Sequence, residues 1–391
     1  MQLSYFRRAN LKVTNTYSQV ILVKLLFFYT TWFYLFLSIL TAHFPSIGLA
    51  ITVARDLWII LGIAIIMLYG NVMTIFAVSF TTLTGTVAHF LSNESSSILV
   101  LGYGVRDIIF LGTFLTLARF RAVSFSPLIP SARYFITFVV ICAGFSIILQ
   151  IAKLSDLRDY IFATSKYFEA KNINSNVNGG ILGQRLLEPL YSASLVGTLL
   201  AGYALYTAPR ITSSITAFAL SFFTLAKVVP VFLYFRILRR FPVVALCVIF
   251  VSLIFIYMIA GSILANMPIS IYTFHAASIL DRFNIFFNLP KFSELVLPRP
   301  LGFNSVAGHV INSIDASKAP ESLIISKIYD LGIWSAPLIL WILHSIYAVP
   351  RNISPLICAF IFIQLFSSLS NHLVAFLPLL ILSYDAHIRR I

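Results

Sequence analysis

Long hydrophobic runs fill most of the chain, and mostly short polar connections separate them. A run of about 20 apolar residues is long enough to cross the hydrocarbon core of a bilayer as an α-helix. The runs therefore predict an all-α, polytopic membrane protein with about twelve membrane segments. In chain order these segments cover residues 20–41, two crossings within 47–90 that turn near Gly70 and Asn71, 98–117, 134–151, 186–206, two short segments within 211–235, 243–264, 322–347, 353–369 and 372–388.

The composition points to the same class of protein. Hydrophobic residues make up 59% of the 391 residues and charged residues only 10%, whereas a soluble domain carries about a quarter charged residues. The composition and the polar gaps predict one integral membrane domain over residues 1–391. All three cysteines lie inside apolar runs, which argues against a disulfide framework or a cysteine metal site.

The basic residues indicate which connections face the cytoplasm. Short connections rich in arginine and lysine carry almost no acidic residues, and such connections stay inside. We therefore expect both termini to be cytoplasmic and two large loops, residues 153–185 and 265–321, to lie outside. The basic residues that support this topology are Arg7, Arg8, Lys12, Arg119, Arg121, Arg133, Arg210, Arg236, Arg239, Arg240, Arg351, Arg389 and Arg390.

The apolar segment 211–235 lies between two basic connections that both belong inside. About 25 residues are too few for two full crossings at about 1.5 Å per residue. Two half-helices that turn near Ala226 and Lys227 satisfy both constraints, and they would place Lys227 deep in the protein, facing a polar cavity. The alternative is a single span with a snorkelling lysine, which would reverse the sidedness of everything that follows.

Several basic residues occur on the predicted outer side, against the usual preference. Arg185 lies where the chain enters the membrane, Lys227 lies within an apolar segment, and Arg282 follows an aromatic-rich run. Because such cations pair with phosphate oxygens, these three are candidates for binding a lipid-linked phosphate. Arg106 and Asp107, inside a predicted span, are expected to form a structural pair.

The second outer loop returns to the membrane at Glu321, directly after Pro320. If the protein is an enzyme, this polar loop is where its chemistry is expected. The alternative is that Glu321 only caps a helix, since acidic residues favour the first turn.

Four segments in this order carry a family resemblance. Gly183-Gln-Arg185-Leu-Leu-Glu188-Pro189 follows the first outer loop, and Phe223-Thr-Leu-Ala-Lys227 lies between the two short segments. Asp281-Arg282-Phe-Asn-Ile-Phe286 lies in the second outer loop. Glu321-Ser322 is followed by nine residues and then Gly332-Ile-Trp-Ser335. Together they resemble motifs of the O-antigen polymerase and O-antigen ligase superfamily, although Glu321 stands where a ligase has histidine, which favours the polymerase branch.

The resemblance implies a glycosyltransferase of the bacterial inner membrane with its active site facing the periplasm. Such a polymerase transfers a glycan from polyprenyl pyrophosphate to the sugar hydroxyl of another lipid-linked repeat unit. No metal, cofactor or nucleic acid is implied, and membrane lipids and a chain-length regulator protein are the further partners. Glu321 is expected to be the general base, with His309 as its rival. The implied site residues are Glu321, Arg282 and Arg185 for catalysis, and Lys227, Arg299, His309 and Ser322 for substrate binding.

Two other functions stay open at this point. A ligase would transfer the finished glycan to a different acceptor. A transporter or flippase would carry the lipid-linked oligosaccharide without forming a bond, and it predicts broken helices at corresponding places in both halves of the chain. The sequence shows one such broken pair, at 211–235.

Overall fold

A computed structural model describes residues 17–92, 97–163, 188–224, 226, 228–237, 244, 247, 248, 251, 296–312, 322–350, 353–366 and 373–388. Within these ranges the regular structure is entirely helical, and no β-strand occurs. The all-α class predicted from the hydrophobic runs is therefore confirmed.

The helices are named here in chain order. They are α1 (Tyr17–His43), α2 (Gly48–Asp56), α3 (Trp58–Tyr69), α4 (Val72–Leu91), α5 (Ile98–Leu117), α6 (Ile129–Ile151), α7 (Ser155–Phe162), α8 (Ala193–Gly202), α9 (Ile211–Phe223), α10 (Val228–Ile237), α11 (Val306–Ile311), α12 (Leu323–Leu331), α13 (Ala336–Ala348), α14 (Ser354–Phe366) and α15 (Leu373–Ile388). A π-helical turn extends α8 to Thr207, and a 3₁₀ turn, Gly332–Ser335, joins α12 to α13.

Several of these helices are long and apolar enough to cross a membrane, as the sequence predicts. Helix α5 has the same bounds as the predicted segment 98–117, and α3 and α4 are separated at Gly70 and Asn71, where the turn is expected. Among the residues that the structure describes, five helices are candidate spans: Tyr17–His43, Val72–Leu91, Ile98–Leu117, Val123–Ile151 and Leu323–Ala348. Four shorter apolar helices are Ala193–Thr207, Ile211–Phe223, Ser354–Leu365 and Leu373–Asp385.

The predicted break within 211–235 is present, between α9 and α10. Thr224 ends α9 because its hydroxyl donates to the carbonyl of Ser221 at 2.6 Å and accepts from the backbone N–H of Ala226 at 3.2 Å. Gly197 of α8 allows this break to pack closely, since a side chain there would approach Ala226 Cβ to 2.7 Å. The segment 211–237 is therefore not one continuous helix.

The segment predicted at 186–206 starts later than expected. A turn occupies Glu188–Tyr191, and the helix begins only at Ala193, where the hydroxyl of Ser192 accepts from the N–H of Leu195 at 3.4 Å. A serine that accepts from the first turn satisfies a backbone donor that the helix itself cannot satisfy. Apolar residues stand on both sides of Glu188, so hydrophobicity alone does not mark this helix start.

The chain divides into two compact units, and the first comprises residues 1–65, 117–236 and 372–391. Helix α15 packs against α6 and α8 in this unit. A side chain at Gly202 of α8 would approach Leu379 of α15 to 2.3 Å, so these two helices pack closely. The hydroxyl of Tyr384 donates to the carbonyl of Ala118 at 2.7 Å. The C-terminal helix is thus part of the core of this unit.

The second unit comprises residues 66–116 and 237–371. Here α13 packs along α4: the indole N–H of Trp341 donates to the hydroxyl of Thr74 at 2.9 Å, and the rings of Trp334 and Phe80 lie 6.4 Å apart. Trp341 of α13 contacts Thr74 of α4, and Trp334, just before α13, contacts Phe80, which lies further along α4. The two helices are therefore antiparallel. Phe360 of α14 packs on Phe114 of α5, with ring centroids 4.0 Å apart.

Candidate functional site

Three of the predicted site residues, Arg299, His309 and Ser322, belong to the part of the chain that the structure describes. Glu321, Arg282, Arg185 and Lys227 lie outside it, and their predicted roles stay predictions. Asp281 and Phe286, which complete one of the family motifs, lie outside it too.

Ser322 begins α12 as its capping residue. Its hydroxyl accepts from the N–H of Ile325 at 3.0 Å and donates to the carbonyl of Gln364 on α14 at 3.2 Å. Both bonds lie in the protein interior, because Ser322 is buried. The side-chain cap of this helix is therefore Ser322, one residue after the glutamate for which the sequence left capping open.

A buried charge cluster lies between α5 and α12. The ammonium of Lys327 lies 3.1 Å from Asp107 Oδ2 and 4.0 Å from Asp330 Oδ2. Lys327 and Asp330 are fully buried, and Asp107 is 6% exposed. Ionisable groups at such depth in helices able to span a membrane occur rarely and mark functional positions by default.

The expected pair of Arg106 and Asp107 is present but is the weaker contact. The guanidinium of Arg106 lies 3.7 Å from Asp107 Oδ1 and 4.6 Å from the ring centroid of Tyr103. Asp107 is thus shared between a neighbour on its own helix and the closer Lys327 on α12. The ion pair of Asp107 with Lys327 joins two helices, so it cannot be predicted from the residues that neighbour Asp107 in the sequence.

Asp330 holds a loop, residues 299–305, against the end of α12. Its carboxylate accepts from the N–H of Gly302 at 2.7 Å, and from the N–H and the side-chain amide of Asn304 at 2.8 and 3.1 Å. Its backbone carbonyl accepts from the N–H of Arg299 at 2.5 Å. One residue therefore anchors both ends of the loop.

The anchored loop packs into the bodies of α4 and α5. A side chain at Gly85 would approach Leu301 Cβ to 2.4 Å, and one at Gly104 would approach the backbone of Leu301 to 2.6 Å. Each glycine lies six residues, about 9 Å, inside the end of a candidate span. Gly302 has φ of +91°, which a residue with a side chain rarely adopts.

Non-helical backbone at this depth needs internal hydrogen-bond partners, because lipid offers none. Asp330 supplies three of them: its carboxylate accepts from the backbone N–H groups of Gly302 and Asn304, and its carbonyl accepts from the N–H of Arg299. The carboxylate therefore has a clear structural task, and Lys327 supplies the counter-charge beside it. Within the described ranges, no group of three or more histidine, cysteine or acidic residues could hold a metal ion.

Arg299 and His309 belong to this loop and to the short helix that follows it. The guanidinium of Arg299 lies 5.8 Å from the ring centroid of Phe303, and His309 is buried within α11. The backbone N–H of Arg299 bonds to Asp330 at the C-terminal end of α12, and His309 follows in a short helix that packs on the loop, whereas Ser322 lies at the N-terminal end of α12. Eight residues of helix, about 12 Å, separate Ser322 from Asp330, so the structure does not bring Ser322 together with the other two.

A second buried ion pair lies in the first unit, at the base of the first large loop. The guanidinium of Arg158 on α7 donates to Glu188 Oε1 at 2.7 Å and, through Nε, to the hydroxyl of Ser146 at 3.1 Å. The hydroxyl of Tyr191 donates to the carbonyl of Phe162 at 2.6 Å. Arg158, within the predicted first outer loop, is therefore buried inside the protein at 3% exposure.

Sequence reasoning missed Lys327, Asp330 and the partnership of Arg158 with Glu188. For Lys327 and Asp330 a signal exists, because two opposite charges three residues apart interrupt an otherwise apolar segment. For Arg158 and Glu188 the 29 intervening residues hide the contact.

Comparison with known proteins adds no assignment. No family model, no curated protein and no solved structure matches the chain. The resemblance to O-antigen polymerases and ligases therefore stays a hypothesis that rests on the four motifs quoted above.

Proposed function

We propose that this chain is a glycosyltransferase of a bacterial inner membrane, with about twelve membrane segments, that polymerises lipid-linked glycan repeat units. The donor is a glycan on polyprenyl pyrophosphate, and the acceptor is the sugar hydroxyl of another lipid-linked unit. The observation that carries the proposal is the loop 299–305, which Asp330 fixes against α12 and which packs on Gly85 and Gly104 within two candidate spans, with Arg299 at its start and His309 in the short helix that follows.

The chemistry needs a base and fixed positive charge. Glu321, or His309 in its place, removes the proton from the acceptor hydroxyl. Arg185, Arg282 and Lys227 stabilise the charge that develops on the departing pyrophosphate, which is most effective in a site from which water is excluded. Arg299 extends this set of cations, and membrane lipids surround the site.

The helix arrangement supports the outward orientation of the second loop. In the predicted topology the connection after α4 and the start of α12 both lie on the periplasmic side. An antiparallel arrangement of α4 and α13 agrees with this, because Leu91 and Ser322 then lie at the same end. The break between α9 and α10 agrees with two half-helices that begin and end on the cytoplasmic side.

The topology predicts which introduced cysteines react with a membrane-impermeant thiol reagent. With native Cys142, Cys247 and Cys358 replaced by alanine, we expect Asn174→Cys and Asp315→Cys to react in intact cells. Ser126→Cys, at an exposed position before α6, is expected to react only after the membrane is permeabilised. Reaction of Ser126→Cys in intact cells would invert the proposed orientation of α6.

The activity itself is tested with the purified protein in lipid vesicles. A defined oligosaccharide on polyprenyl pyrophosphate is expected to give a ladder of products that differ by one repeat unit, and the Arg282→Ala protein is expected to give single units only. A single transfer to an added non-identical acceptor, without a ladder, would assign the ligase reaction instead. Absence of any new glycosidic bond in the wild-type protein would overturn both.

A transporter or flippase is the second candidate, and one observation favours it. The candidate span Leu323–Ala348 contains a 3₁₀ turn at Gly332–Ser335, five residues after the buried Lys327, so its helix is irregular there, and the break between α9 and α10 is a second irregularity. Broken helices and buried ion pairs are features of substrate pathways through membranes. Movement of the same lipid-linked oligosaccharide across vesicles without elongation would support this function.

A further inference from the structure

Helix α7 follows directly after the candidate span Val123–Ile151 and exposes large apolar side chains. Tyr160 is 83% exposed, Leu157 is 44% exposed and Ile161 is 38% exposed. These three side chains form what is called here the apolar face of α7. The charged side chain of Arg158, in contrast, is buried in the protein. This pattern is the reverse of a surface helix in water, which buries its apolar stripe and exposes its charges.

The geometry of an α-helix, about 100° per residue, divides α7 into three faces. The core face holds Arg158 and Phe162, which are both buried. A polar face, made of Ser155, Asp156 and Asp159, lies opposite the apolar face. A short helix with one face towards protein, one polar face and one exposed apolar face fits the boundary between a bilayer and water.

Two contacts fix the orientation of α7. The guanidinium of Arg158 donates to Glu188 Oε1 at 2.7 Å, and the carbonyl of Phe162 accepts from the hydroxyl of Tyr191 at 2.6 Å. All four of these residues are buried. Rotating the apolar face towards the protein would break both contacts, so this face stays on the outside.

The exposed side of α6 indicates what covers the apolar face. Along α6, large apolar residues recur every three or four positions and are exposed, which places them on one side of the helix. They are Ile141, Phe145, Ile148 and Ile151. Leu154, in the turn between α6 and α7, is 47% exposed. Because the exposed side of a membrane span faces lipid, the apolar residues that follow it directly are placed to meet lipid too.

We propose that α7 lies along the membrane surface, at the level where α6 leaves the bilayer. Its apolar face inserts among the lipids and its polar face meets water. Tyr160 lies between Leu157 and Asp156 around the helix, at the edge of the apolar face, and tyrosine is typical of this interface. The surface is independent of whether the chain polymerises or transports glycans.

The charges of α7 indicate which lipids it accepts. The polar face contains Asp156 and Asp159 but no lysine or arginine. Helices that bind anionic lipids by charge carry lysine and arginine on the polar face. The contact of α7 is therefore apolar, and we expect it with zwitterionic and anionic lipids alike.

Spin labels on the purified full-length protein in phosphatidylcholine vesicles test the proposal. With the three native cysteines replaced by alanine, a nitroxide is attached at Leu157→Cys or Ile161→Cys. Oxygen concentrates in lipid, whereas a water-soluble nickel complex does not enter it. We expect both labels to be relaxed by oxygen far more than by nickel, as at Ile148→Cys on the exposed side of α6. Asp156→Cys, one residue away on the polar face, is the matched control and is expected to be relaxed by nickel.

Each other result contradicts the proposal. Labels at Leu157→Cys and Ile161→Cys that nickel relaxes as strongly as the label at Asp156→Cys would place α7 in water. Labels that neither reagent reaches would mean that protein covers the apolar face. Added phosphatidylglycerol is expected to change nothing, and insertion that requires this anionic lipid would overturn the apolar contact.

Discussion

Replacing Lys327 by methionine is expected to lower the free energy of unfolding by about 3–5 kcal/mol, a large fraction of the stability of an ordinary fold. The substitution keeps the length and most of the volume of the side chain but removes its charge. Asp107 and Asp330 then remain buried with Arg106 as the nearest cation, 3.7 Å from one of them. The measurement is denaturant unfolding of the purified protein, together with the amount that accumulates in the membrane.

The matched control is Arg133→Met. Arg133 also pairs with an aspartate, Asp385, at 2.5 Å, but its side chain is 39% exposed. Because exposed pairs contribute about 0–1 kcal/mol, this variant is expected to unfold almost like the wild type. Adding Asp107→Asn to Lys327→Met should restore most of the loss. Equal stability of Lys327→Met and the wild type would mean that the cluster does not stabilise the fold.

Replacing Glu321 by glutamine is expected to slow the growth of the glycan ladder by about 10²- to 10⁴-fold, the usual contribution of a general base. Glutamine has nearly the same shape but cannot accept a proton from the acceptor hydroxyl. The protein is expected to accumulate normally, since the side-chain cap of α12 is Ser322 and does not depend on Glu321. The measurement is the initial rate of elongation of the defined lipid-linked substrate.

Two further variants separate Glu321 from other acidic and basic groups of the same loop. Glu294→Gln lies in the same predicted outer loop and is expected to leave the rate unchanged. His309→Gln tests the rival base. A normal rate in Glu321→Gln together with a large loss in His309→Gln would transfer the role of base to the histidine.

The long helices could be predicted from sequence because lipid imposes a simple rule on composition and length. The positive-inside rule predicted the break between α9 and α10. Arginines lie on both sides of an apolar segment that is too short for two full crossings, so this segment is predicted to form two half-helices. The start of α8 could not be predicted this way. Its position depends on the turn Glu188–Tyr191 and on a hydrogen bond of Ser192, whereas the predicted start came from the apolar residues that stand on both sides of Glu188.

The buried polar contacts were the hardest to predict. Asp107 meets Lys327 across 220 positions of sequence, and Leu301 packs on Gly85 and Gly104 from a loop that we expected to lie outside. Each of these contacts depends on how helices and loops are placed in three dimensions. The residues themselves, a lysine in an apolar run and two glycines in candidate spans, are visible in the sequence, but their partners are not.

The ion pair of Arg158 with Glu188, and the bond of Tyr191 to Phe162, give the first large loop a fixed base. Both contacts are made by residues that flank the segment 164–187. For a segment closed in this way, doubling its length adds only about 0.6 kcal/mol of closure entropy. Insertions within residues 164–184 are therefore expected to lower the free energy of unfolding only slightly, because the contacts that close the segment lie outside it.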